Sequence, residues 1–233
     1  MKAVILAGGL GKRLRPLTKV LPKPLLPLGE SNVLETQIRL LKNYGFNEIY
    51  VATNYKSKVI KEFLGDGSKY NVSIVYSKEK KPLGTCGPLT LLKSYLSEPF
   101  ILINGDILSN VNLKKFYNFS LKLETALTVA TVKIFTPFNF GIVSSENNFL
   151  KKINEKPKFE NEILAGIYCV RPDIMKFIPN NKYYGIDSLI NKLIKLRINV
   201  GKYKLNRGDF WLDIGQLNNY AFAKKVYKKY FRK

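Results

Sequence analysis

The sequence is poor in the residues that carry out most acid–base, metal-thiolate and disulfide chemistry. It has no histidine, two cysteines and 17 acidic residues among 233. Cys86 and Cys169 stand apart with no C-x-x-C pair, which indicates neither a zinc site nor a disulfide framework. No segment approaches the roughly 18 consecutive apolar residues of a membrane span. We expect reduced thiols, a cytoplasmic chain and no signal peptide, since Met1 and Lys2 lead directly into an apolar run.

The charge balance is strongly positive, with 39 Lys and Arg residues and a formal net charge of +22. A positive field attracts nucleic acids, but it also concentrates small polyanions such as nucleoside triphosphates. The sequence shows no RNA-recognition aromatic signature, zinc finger or helix-turn-helix pattern, so we expect no nucleic acid as a partner. A hydrophobic content of 45% excludes disorder and suffices for one buried core.

Apolar runs alternate with segments of helical period through the first half of the chain. This alternation predicts an α/β fold, a Rossmann-like α/β/α sandwich with a mostly parallel mixed central sheet. We expect strands at 2–7, 47–53, 72–76 and 99–104 and helices at 32–44, 55–64 and 86–96. Beyond residue 106 we expect helices at 113–121, 172–177 and 185–197 and strands at 126–133, 140–144, 149–154, 162–170 and 209–213. The second half should add a smaller mixed-sheet lobe over the mouth of the first.

Residues 216–233 are predicted to form a basic amphipathic helix at the end of the chain. Its apolar face would consist of Tyr220, Ala223, Tyr227, Tyr230 and Phe231. We expect this face to dock on the protein; a membrane-surface helix or a subunit contact is the alternative.

The first 28 residues are the most informative part of the chain. An apolar run at 3–7 predicts a buried parallel strand that ends in a glycine-rich loop. The glycines and the cations that follow are Gly8, Gly9, Gly11, Lys12, Arg13, Arg15, Lys19 and Lys23. Glycines let backbone N–H groups approach a phosphate, and the cations suit a polyanion. This pattern predicts a site for a nucleoside triphosphate.

Two common phosphate-binding loops are excluded by spacing. A Walker A loop needs Gly and Ser or Thr where Leu6 and Arg13 stand. A dinucleotide-binding loop would open a helix after Gly11, which Pro16 would break.

The pattern GG-x-G-x-R-L-x-P-x-T followed by PKP-L-x-P is long and specific. On it the chain resembles the sugar-1-phosphate nucleotidyltransferases, closest in motif to the mannose-1-phosphate and heptose-1-phosphate guanylyltransferases. The resemblance runs from Met1 to about Ala223, and we expect no β-helix tail. It implies that a sugar 1-phosphate oxygen attacks the α-phosphorus of a triphosphate and that pyrophosphate leaves. Because that nucleophile is already anionic, positioning and charge neutralisation suffice, without histidine.

The resemblance assigns catalysis to Arg13, Lys23, Asp106 and Asp213. Asp106 ends the run I-L-I-N-G-D and Asp213 lies in F-W-L-D-I-G, where the family places its two Mg²⁺ ligands. Lys12 departs from the Thr or Ser that is usual there.

The resemblance also divides the single domain, 1–233, into a nucleotide-binding half at 1–110 and a sugar-phosphate-binding half at 111–215. The nucleotide-binding residues are Leu6, Ala7, Gly8, Gly9, Gly11, Lys12, Arg13, Glu79, Pro82, Gly84 and Thr85. The sugar-phosphate-binding residues are Lys23, Asn104, Gly141, Glu155, Lys156, Ala165, Gly166 and Tyr168. Leu164 replaces the Asn of the N-A-G-I-Y pattern of mannose-type relatives, which leaves the sugar open.

Glu79 favours guanine as the base. It stands where thymidylyl and uridylyl relatives commonly have Gln. Guanine presents two adjacent N–H donors, and a carboxylate can accept both in bonds worth roughly 1.5–3 kcal/mol each. The alternative is an exposed glutamate between Lys78 and Lys80.

The most favoured function is therefore Mg²⁺-dependent transfer from GTP to a mannose- or heptose-like sugar 1-phosphate. Thymidylyl, uridylyl or cytidylyl transfer to a glucose-like phosphate is the alternative within the class. A nucleotide-sugar-dependent glycosyltransferase is disfavoured because Ile107 and Leu108 follow Asp106, where D-x-D would be expected. A non-catalytic regulatory homologue is disfavoured by retention of the four catalytic residues. The sequence leaves a homo-oligomer open.

Overall fold

The computed structural model describes residues 1–231 as a central sheet with helices on both faces. The strands are β1 (Lys2–Leu6), β2 (Pro27–Leu28), β3 (Ser31–Asn32), β4 (Glu48–Thr53), β5 (Ser73–Lys78), β6 (Phe100–Asn104), β7 (Ile107–Ser109), β8 (Leu127–Pro137), β9 (Ile142–Glu146), β10 (Phe149–Asn154), β11 (Lys158–Val170), β12 (Val200–Lys204) and β13 (Trp211–Asp213). The α-helices are α1 (Leu17–Val20), α2 (Val33–Asn43), α3 (Ser57–Leu64), α4 (Leu113–Leu123), α5 (Ile186–Lys195) and α6 (Leu217–Phe231). Short 3₁₀ helices cover Lys12–Leu14, Lys23–Leu25, Ser68–Tyr70, Gly87–Leu92 and Pro172–Phe177.

The central sheet has seven strands in the order β12-β8-β11-β6-β1-β4-β5. Strands β5, β4, β1 and β6 are parallel to one another, and β12 is parallel to β8. Strand β11 runs antiparallel to both of its neighbours, β6 and β8, so it alone is reversed. The expected α/β class with a mostly parallel mixed sheet is confirmed. Because the chain moves from β1 outward in both directions, a crevice forms beyond the carboxyl ends of β1 and β6.

The sheet separates two buried clusters. Ala3 and Ile5 of β1 face one side and pack among apolar residues of α2, α3 and α4. Val4 faces the other side and packs among residues of α5 and of the 3₁₀ helices at 87–92 and 172–177. Alternate side chains of β1 therefore pack against helices on opposite faces of the sheet, as expected for a strand that is buried on both faces.

The structure differs from the expected elements in several places, including the following three. The segment predicted as a helix at 86–96 is a 3₁₀ helix, Gly87–Leu92, with Pro88 as its second residue. Strand β12 was not predicted, because it has only five residues, V-G-K-Y-K, and a glycine inside. Three strands of the second half, β8, β11 and β12, join the central sheet and do not build a separate one.

The smaller lobe consists of residues 133–162. It contains the outer ends of β8 and β11 and a two-stranded hairpin of β9 and β10. The inner ends of β8 and β11 are buried in the main sheet, whereas their outer ends are exposed. The two long strands β8 and β11 thus belong to both the main sheet and the lobe.

Helix α6 packs its tyrosine face on the edge of the fold. Tyr220, Ala223 and Tyr227 are buried with Leu14 and Leu28. The hydroxyl of Tyr220 donates to the carbonyl of Pro27 at 2.8 Å, and the hydroxyls of Tyr227 and Thr36 lie 2.9 Å apart. Arg232 and Lys233, at the end of the predicted helix, lie outside the described residues. No helix in residues 1–231 is long and apolar enough to cross a membrane.

We expect Tyr227→Phe to lower the free energy of unfolding by about 1 kcal/mol, because one buried hydrogen bond is lost while the ring still packs. Denaturant unfolding would measure this. Tyr95→Phe is the matched control, because the Tyr95 hydroxyl has no hydrogen-bond partner among the described residues. Equal stability of the two variants would contradict the role given to the Tyr227 hydroxyl.

Candidate active site

The loop after β1 presents unpaired backbone donors at the crevice. Among residues 1–231, the N–H groups of Gly8, Gly9, Leu10 and Gly11 donate to no acceptor. The hydroxyl of Thr18 donates to the carbonyl of Gly11 at 2.9 Å and holds the loop from behind. Gly11 has φ +59°, and a Cβ there would lie 2.7 Å from Thr18 Cγ2. The loop therefore requires glycine and can offer its N–H groups to an anion.

The crevice contains a cavity of about 290 Å³ at the carboxyl ends of β1 and β6. Its lining consists of Leu6, Gly8, Gly9, Lys23, Pro24, Glu79, Pro82, Leu83, Gly84, Thr85, Pro88, Asn104, Gly105, Asp106 and Tyr183. Ten of the residues predicted from sequence thus meet here, although they come from five separate stretches of the chain. Gly105 allows β1 and β6 to end so close together, since a Cβ there would lie 2.5 Å from the Leu6 carbonyl oxygen.

Lys23 lies between two carboxylates at one side of this cavity. Its side chain is about 10% exposed, and its Nζ forms an ion pair with Asp106 and lies 3.9 Å from Asp213 Oδ1. The backbone joins the two aspartates: Asp213 of β13 pairs with Ile107 of β7, and Ile214 N donates to the Asp106 carbonyl at 3.0 Å. Each carboxylate therefore has a fixed position relative to the lysine.

Burial raises the pKa of Asp213, and the nearby charge of Asp106 raises it further. The charges of Lys23 and Arg13 and a 2.6 Å hydrogen bond from Gly215 N oppose this without cancelling it. The partly buried Asp213 carboxylate, whose pKa is raised beside Asp106, belongs to a site that gains from an additional cation. In residues 1–231 no cluster of three or more His, Cys, Asp and Glu residues could hold a metal.

Arg13 and Lys12 lie at the rim of the crevice, outside the cavity lining. Both are exposed on the 3₁₀ helix Lys12–Leu14. Arg13 is near enough to Asp213 for its charge to lower the pKa of that carboxyl. Arg15 and Lys19 are exposed as well. The rim thus carries positive charge that a bound polyanion would meet.

Glu79 is buried, with 6% of its surface exposed, so it is not the solvent-facing glutamate that the neighbouring lysines allowed. Burial raises the pKa of its carboxyl group, and a hydrogen bond from Leu83 N opposes the rise. That bond, 2.8 Å long, uses Oε2. The other oxygen, Oε1, lies against Gly8, where an added Cβ would be only 2.7 Å from it. One carboxylate oxygen shapes the loop at 79–83, and the other lies beside the glycine-rich loop at 8–11, which is the predicted phosphate loop.

The loop at 82–87 is fastened to the segment before α5. Tyr184 N donates to Leu83 O, and Cys86 N donates to Tyr184 O, both at 2.9 Å. The Thr85 hydroxyl accepts from Ile186 N at 2.6 Å. Gly84, at φ +79°, leaves no room for a Cβ against the Tyr184 backbone. This contact brings Tyr183, 72% exposed, to the cavity wall. Sequence reasoning missed Tyr183, because nothing in the local pattern predicts that contact.

The predicted sugar-phosphate residues fall into three groups, which lie at the cavity, in the lobe and in the buried core. Asn104 lines the cavity, and its Oδ1 is buried with no hydrogen-bond partner among the described residues. Gly166, at φ +68°, lies against the Asn104 amide. Gly141 and Glu155 touch each other in the lobe and, like Lys156, are exposed outside the cavity lining. The structure therefore brings one part of the predicted set to the cavity and leaves another in the lobe.

Three predicted binding residues are buried in the core and their side chains cannot contact a ligand in this conformation. Ala7, Ala165 and Tyr168 are 1%, 0% and 2% exposed. Burial raises the pKa of the Tyr168 hydroxyl. The Ala165 carbonyl accepts from Trp211 Nε1 at 2.7 Å, which fastens β11 to β13. The side chains of these three residues pack behind the cavity, and their assignment to ligand binding stays a prediction.

A family model for nucleotidyl transferases matches residues 2–229. The chain belongs to the nucleotidyl transferase family. Mannose-1-phosphate guanylyltransferase 1 of Arabidopsis thaliana is 35% identical over 242 residues, which covers 100% of this chain and 66% of that protein. The chain thus spans just under two thirds of the length of this relative.

Solved structures of the family have the same fold. A Bacillus anthracis protein described as a glucose-1-phosphate thymidylyltransferase superposes with a TM-score of 0.80 at 24% identity, over 97% of this chain and 94% of that one. HddC from Yersinia pseudotuberculosis, complexed with GMP-PN, superposes with a TM-score of 0.75 at 25% identity, over 97% and 99%. The resemblance to sugar-1-phosphate nucleotidyltransferases that the sequence motifs indicated is confirmed.

We expect Asp213→Asn to raise the melting temperature of this family member at pH 7. Because the pKa of Asp213 is raised in the folded state, its ionised carboxylate lowers the free energy of unfolding at pH values above that pKa. Asn carries no charge and removes this destabilisation. The difference should shrink as the pH falls and vanish below about 3.9, the ordinary pKa of Asp, where the carboxyl is protonated in both states. Thermal unfolding between pH 3.5 and 7.5, a range of about four units, would measure it.

Asp66→Asn is the control of opposite sign. A backbone hydrogen bond from Ser68 lowers the pKa of exposed Asp66, so its stabilisation is present at neutral pH and lost in acid. Asp66→Asn should therefore melt lower than wild type at pH 7. A destabilised Asp213→Asn protein at neutral pH would contradict the electrostatic account of the carboxylate pair.

Proposed function

We propose that this protein transfers GMP from GTP to the phosphate of a mannose- or heptose-like sugar 1-phosphate, which releases pyrophosphate and forms a GDP-sugar. The observation that carries the proposal is Lys23 between Asp106 and Asp213, beside a loop of unpaired N–H groups. This arrangement suits a reaction in which two polyanions must be held together and negative charge must be neutralised. Such a reaction needs no histidine, and the chain has none.

Each residue has a role in the reaction that follows from its position at the crevice. The N–H groups of the loop at 8–11, which donate to no acceptor among residues 1–231, bind the triphosphate. Lys23 Nζ, held by its ion pair with Asp106, neutralises charge where the sugar phosphate approaches the α-phosphorus. Arg13 at the rim binds the outer phosphates, which depart as pyrophosphate. The new bond joins the sugar-phosphate oxygen to the α-phosphorus, and the bond to the pyrophosphate oxygen breaks with its electron pair.

The donor set fits Mg²⁺, which prefers carboxylate oxygens and is commonly held by one or two of them together with substrate phosphates. Asp106 and Asp213 would be the protein ligands. When bound, the ion would stabilise negative charge on the phosphate oxygens. Lys23 then orients both carboxylates, since its ammonium is within 4 Å of each.

Guanine is favoured by the buried Glu79 carboxylate. Its Oε1 faces the phosphate-loop side of the cavity, and its Oε2 is oriented by Leu83 N. A buried carboxylate binds adjacent N–H donors and repels the carbonyl oxygens of uracil and thymine. The name of the Arabidopsis relative and the GMP-PN complex of HddC support the same choice. Thymidylyl transfer is the alternative, supported by the fold of the Bacillus protein alone.

We expect Mg²⁺ to raise the melting temperature of the wild-type protein in the presence of GTP and sugar phosphate, and EDTA to stop pyrophosphate release. Asp106→Asn and Asp213→Asn should each lower turnover by orders of magnitude and reduce the Mg²⁺-dependent thermal shift, since each removes a ligand. Asp173→Asn, which alters a carboxylate in the 3₁₀ helix Pro172–Phe177, is the control. Full turnover of both site variants in EDTA would contradict the metal assignment.

We expect wild type to release pyrophosphate faster with GTP than with UTP, dTTP or CTP when each is paired with a panel of sugar 1-phosphates. Glu79→Gln should erode this preference, because an amide suits the donor-acceptor edge of uracil and thymine and still accepts from Leu83 N. Glu62→Gln, on the exposed face of α3, is the control. An equal rate with UTP and GTP would overturn the guanine assignment and leave nucleotidyl transfer in place.

A further inference from the structure

Helix α2 carries an amide side chain on its buried face. Gln37 is 3% exposed and shares this face with Leu34, Ile38 and Leu41, which pack in the same core cluster as residues of β1. A buried amide lowers stability unless its donors and its acceptor find partners. Gln37 does not belong to the cavity lining, so its hydrogen bonds show what this position does.

The amide nitrogen of Gln37 donates to two carbonyl groups. Nε2 lies 2.9 Å from the carbonyl oxygen of Asn104 and 2.7 Å from that of Ile107. An amide nitrogen has two hydrogens, so each carbonyl receives one. The reverse orientation would place Oε1 against two acceptors, and the partners therefore fix the orientation of the side chain. Oε1 is buried without a hydrogen-bond partner in residues 1–231, which costs stability. The contribution of Gln37 thus lies in the two bonds from Nε2.

These two carbonyls flank the turn that carries Asp106. Strand β6 ends at Asn104 and β7 begins at Ile107, so Gly105 and Asp106 form the whole connection between the two strands. Gln37 joins the last carbonyl of β6 to the first carbonyl of β7. The turn cannot move relative to α2 without the loss of at least one of these bonds.

The turn is also held by backbone hydrogen bonds from two other directions. Gly105 N donates to the Leu6 carbonyl at 2.9 Å, and the Asp106 carbonyl accepts from Ile214 N at 3.0 Å. These contacts come from β1 and from the residue after β13. Among the described residues, Gln37 is the one side chain that donates to the backbone of residues 104–107. It supplies the attachment of the turn to the helical layer.

The helix that carries Gln37 is itself fixed. Asn32 caps α2, since its Oδ1 accepts from Glu35 N at 2.9 Å and its Nδ2 donates to Glu35 Oε2 at 3.0 Å. Leu34 and Ile38, on either side of Gln37 in the sequence, are fully buried. A helix that is capped and packed in this way holds the Gln37 amide at a constant position.

We propose that Gln37 is a positioning residue of the active site, which holds the turn at 104–107 and thereby sets where the Asp106 carboxylate lies relative to Lys23. The side chain of Asp106 is about 30% exposed and forms an ion pair with Lys23, so the backbone of the turn decides the position of the carboxylate. Gln37 acts through Asp106 and contacts neither substrate nor metal. The consequence for turnover rests on the proposed function, whereas the attachment of the turn does not.

Hydrogen exchange of the full-length protein, without metal or substrates, tests the attachment directly. Gln37→Met keeps the volume and helix propensity of the side chain and removes both donors. The amides of Gly105 and Ile214, which are bonded within and across the turn, should exchange at least about tenfold faster than in wild type.

Pyrophosphate release from GTP and mannose 1-phosphate tests the consequence for the site. In Gln37→Met turnover should fall roughly 10- to 100-fold, since a displacement of about 1 Å at reacting groups has effects of this size. The Mg²⁺ concentration for half-maximal rate should rise, because Asp106 is one of the two proposed ligands. The KM for GTP should stay within about twofold, because the loop at 8–11 keeps its N–H groups.

Thr36→Val is the matched control on the same helix. Thr36 is 6% exposed, and its hydroxyl lies 2.7 Å from the Asn32 carbonyl and 2.9 Å from the Tyr227 hydroxyl, with no bond to the turn. This variant should melt at a lower temperature than wild type and keep the wild-type exchange at Gly105, turnover and Mg²⁺ dependence. The same changes in Thr36→Val as in Gln37→Met would show that Gln37 acts on stability alone and would overturn the proposal.

Gln37→Leu is the second variant should Gln37→Met fail to fold, as judged by circular dichroism. Wild-type exchange at Gly105 and Ile214 in the folded variant would overturn the proposal. Faster exchange together with wild-type turnover and Mg²⁺ dependence would overturn it as well. A wild-type protein that releases no pyrophosphate with any pair of substrates would contradict the proposed function instead, and the exchange comparison would still decide whether Gln37 holds the turn.

Discussion

The arrangement of the site depends on one cluster, Lys23 between Asp106 and Asp213. The charges of Asp106 and Asp213 repel each other, and burial adds a desolvation cost; both effects raise the pKa of Asp213. The lysine compensates for part of the cost by its ion pair with Asp106 and its proximity to Asp213. The backbone hydrogen bond from Ile214 N to the Asp106 carbonyl keeps the two chain segments side by side, so the rest of the cost stays in the folded state. Functional sites commonly retain charge that costs stability in this way.

Glycine at positions 105 and 8 allows β1 and the Glu79 carboxylate to lie close to this cluster. At Gly105 any side chain would collide with the end of β1, so the strand that carries Asp106 could not lie beside the phosphate loop. At Gly8 a methyl group would displace the Glu79 carboxylate from the same loop. The Glu79 carboxylate, the glycine-rich loop and Asp106 can share one small cavity because these two positions have no side chain. The same close packing explains why Ala7, Ala165 and Tyr168 lie behind the cavity and not in it.

In contrast to the closely packed crevice, the lobe at 133–162 has almost no buried surface. The central sheet is covered on both faces, so its strands are fixed by burial, whereas the hairpin at β9 and β10 has neither face covered. Residues assigned to the sugar phosphate by motif, Gly141, Glu155 and Lys156, belong to this uncovered part.

The sequence by itself determined the elements and residue types whose signal is local. Buried strands such as β1 and β6 show as apolar runs, and the glycine-rich loop, Lys23, Asp106 and Asp213 show as motifs of the family. Tertiary structure alone decided which of these residues meet. The burial of Glu79 depends on Leu83 N and Gly8, the position of Tyr183 depends on pairing between the loops at 82–87 and 182–186, and β12 has its place because β8 offers it an edge. Such contacts join residues far apart in the chain, and no local pattern of hydrophobicity or turn chemistry encodes them.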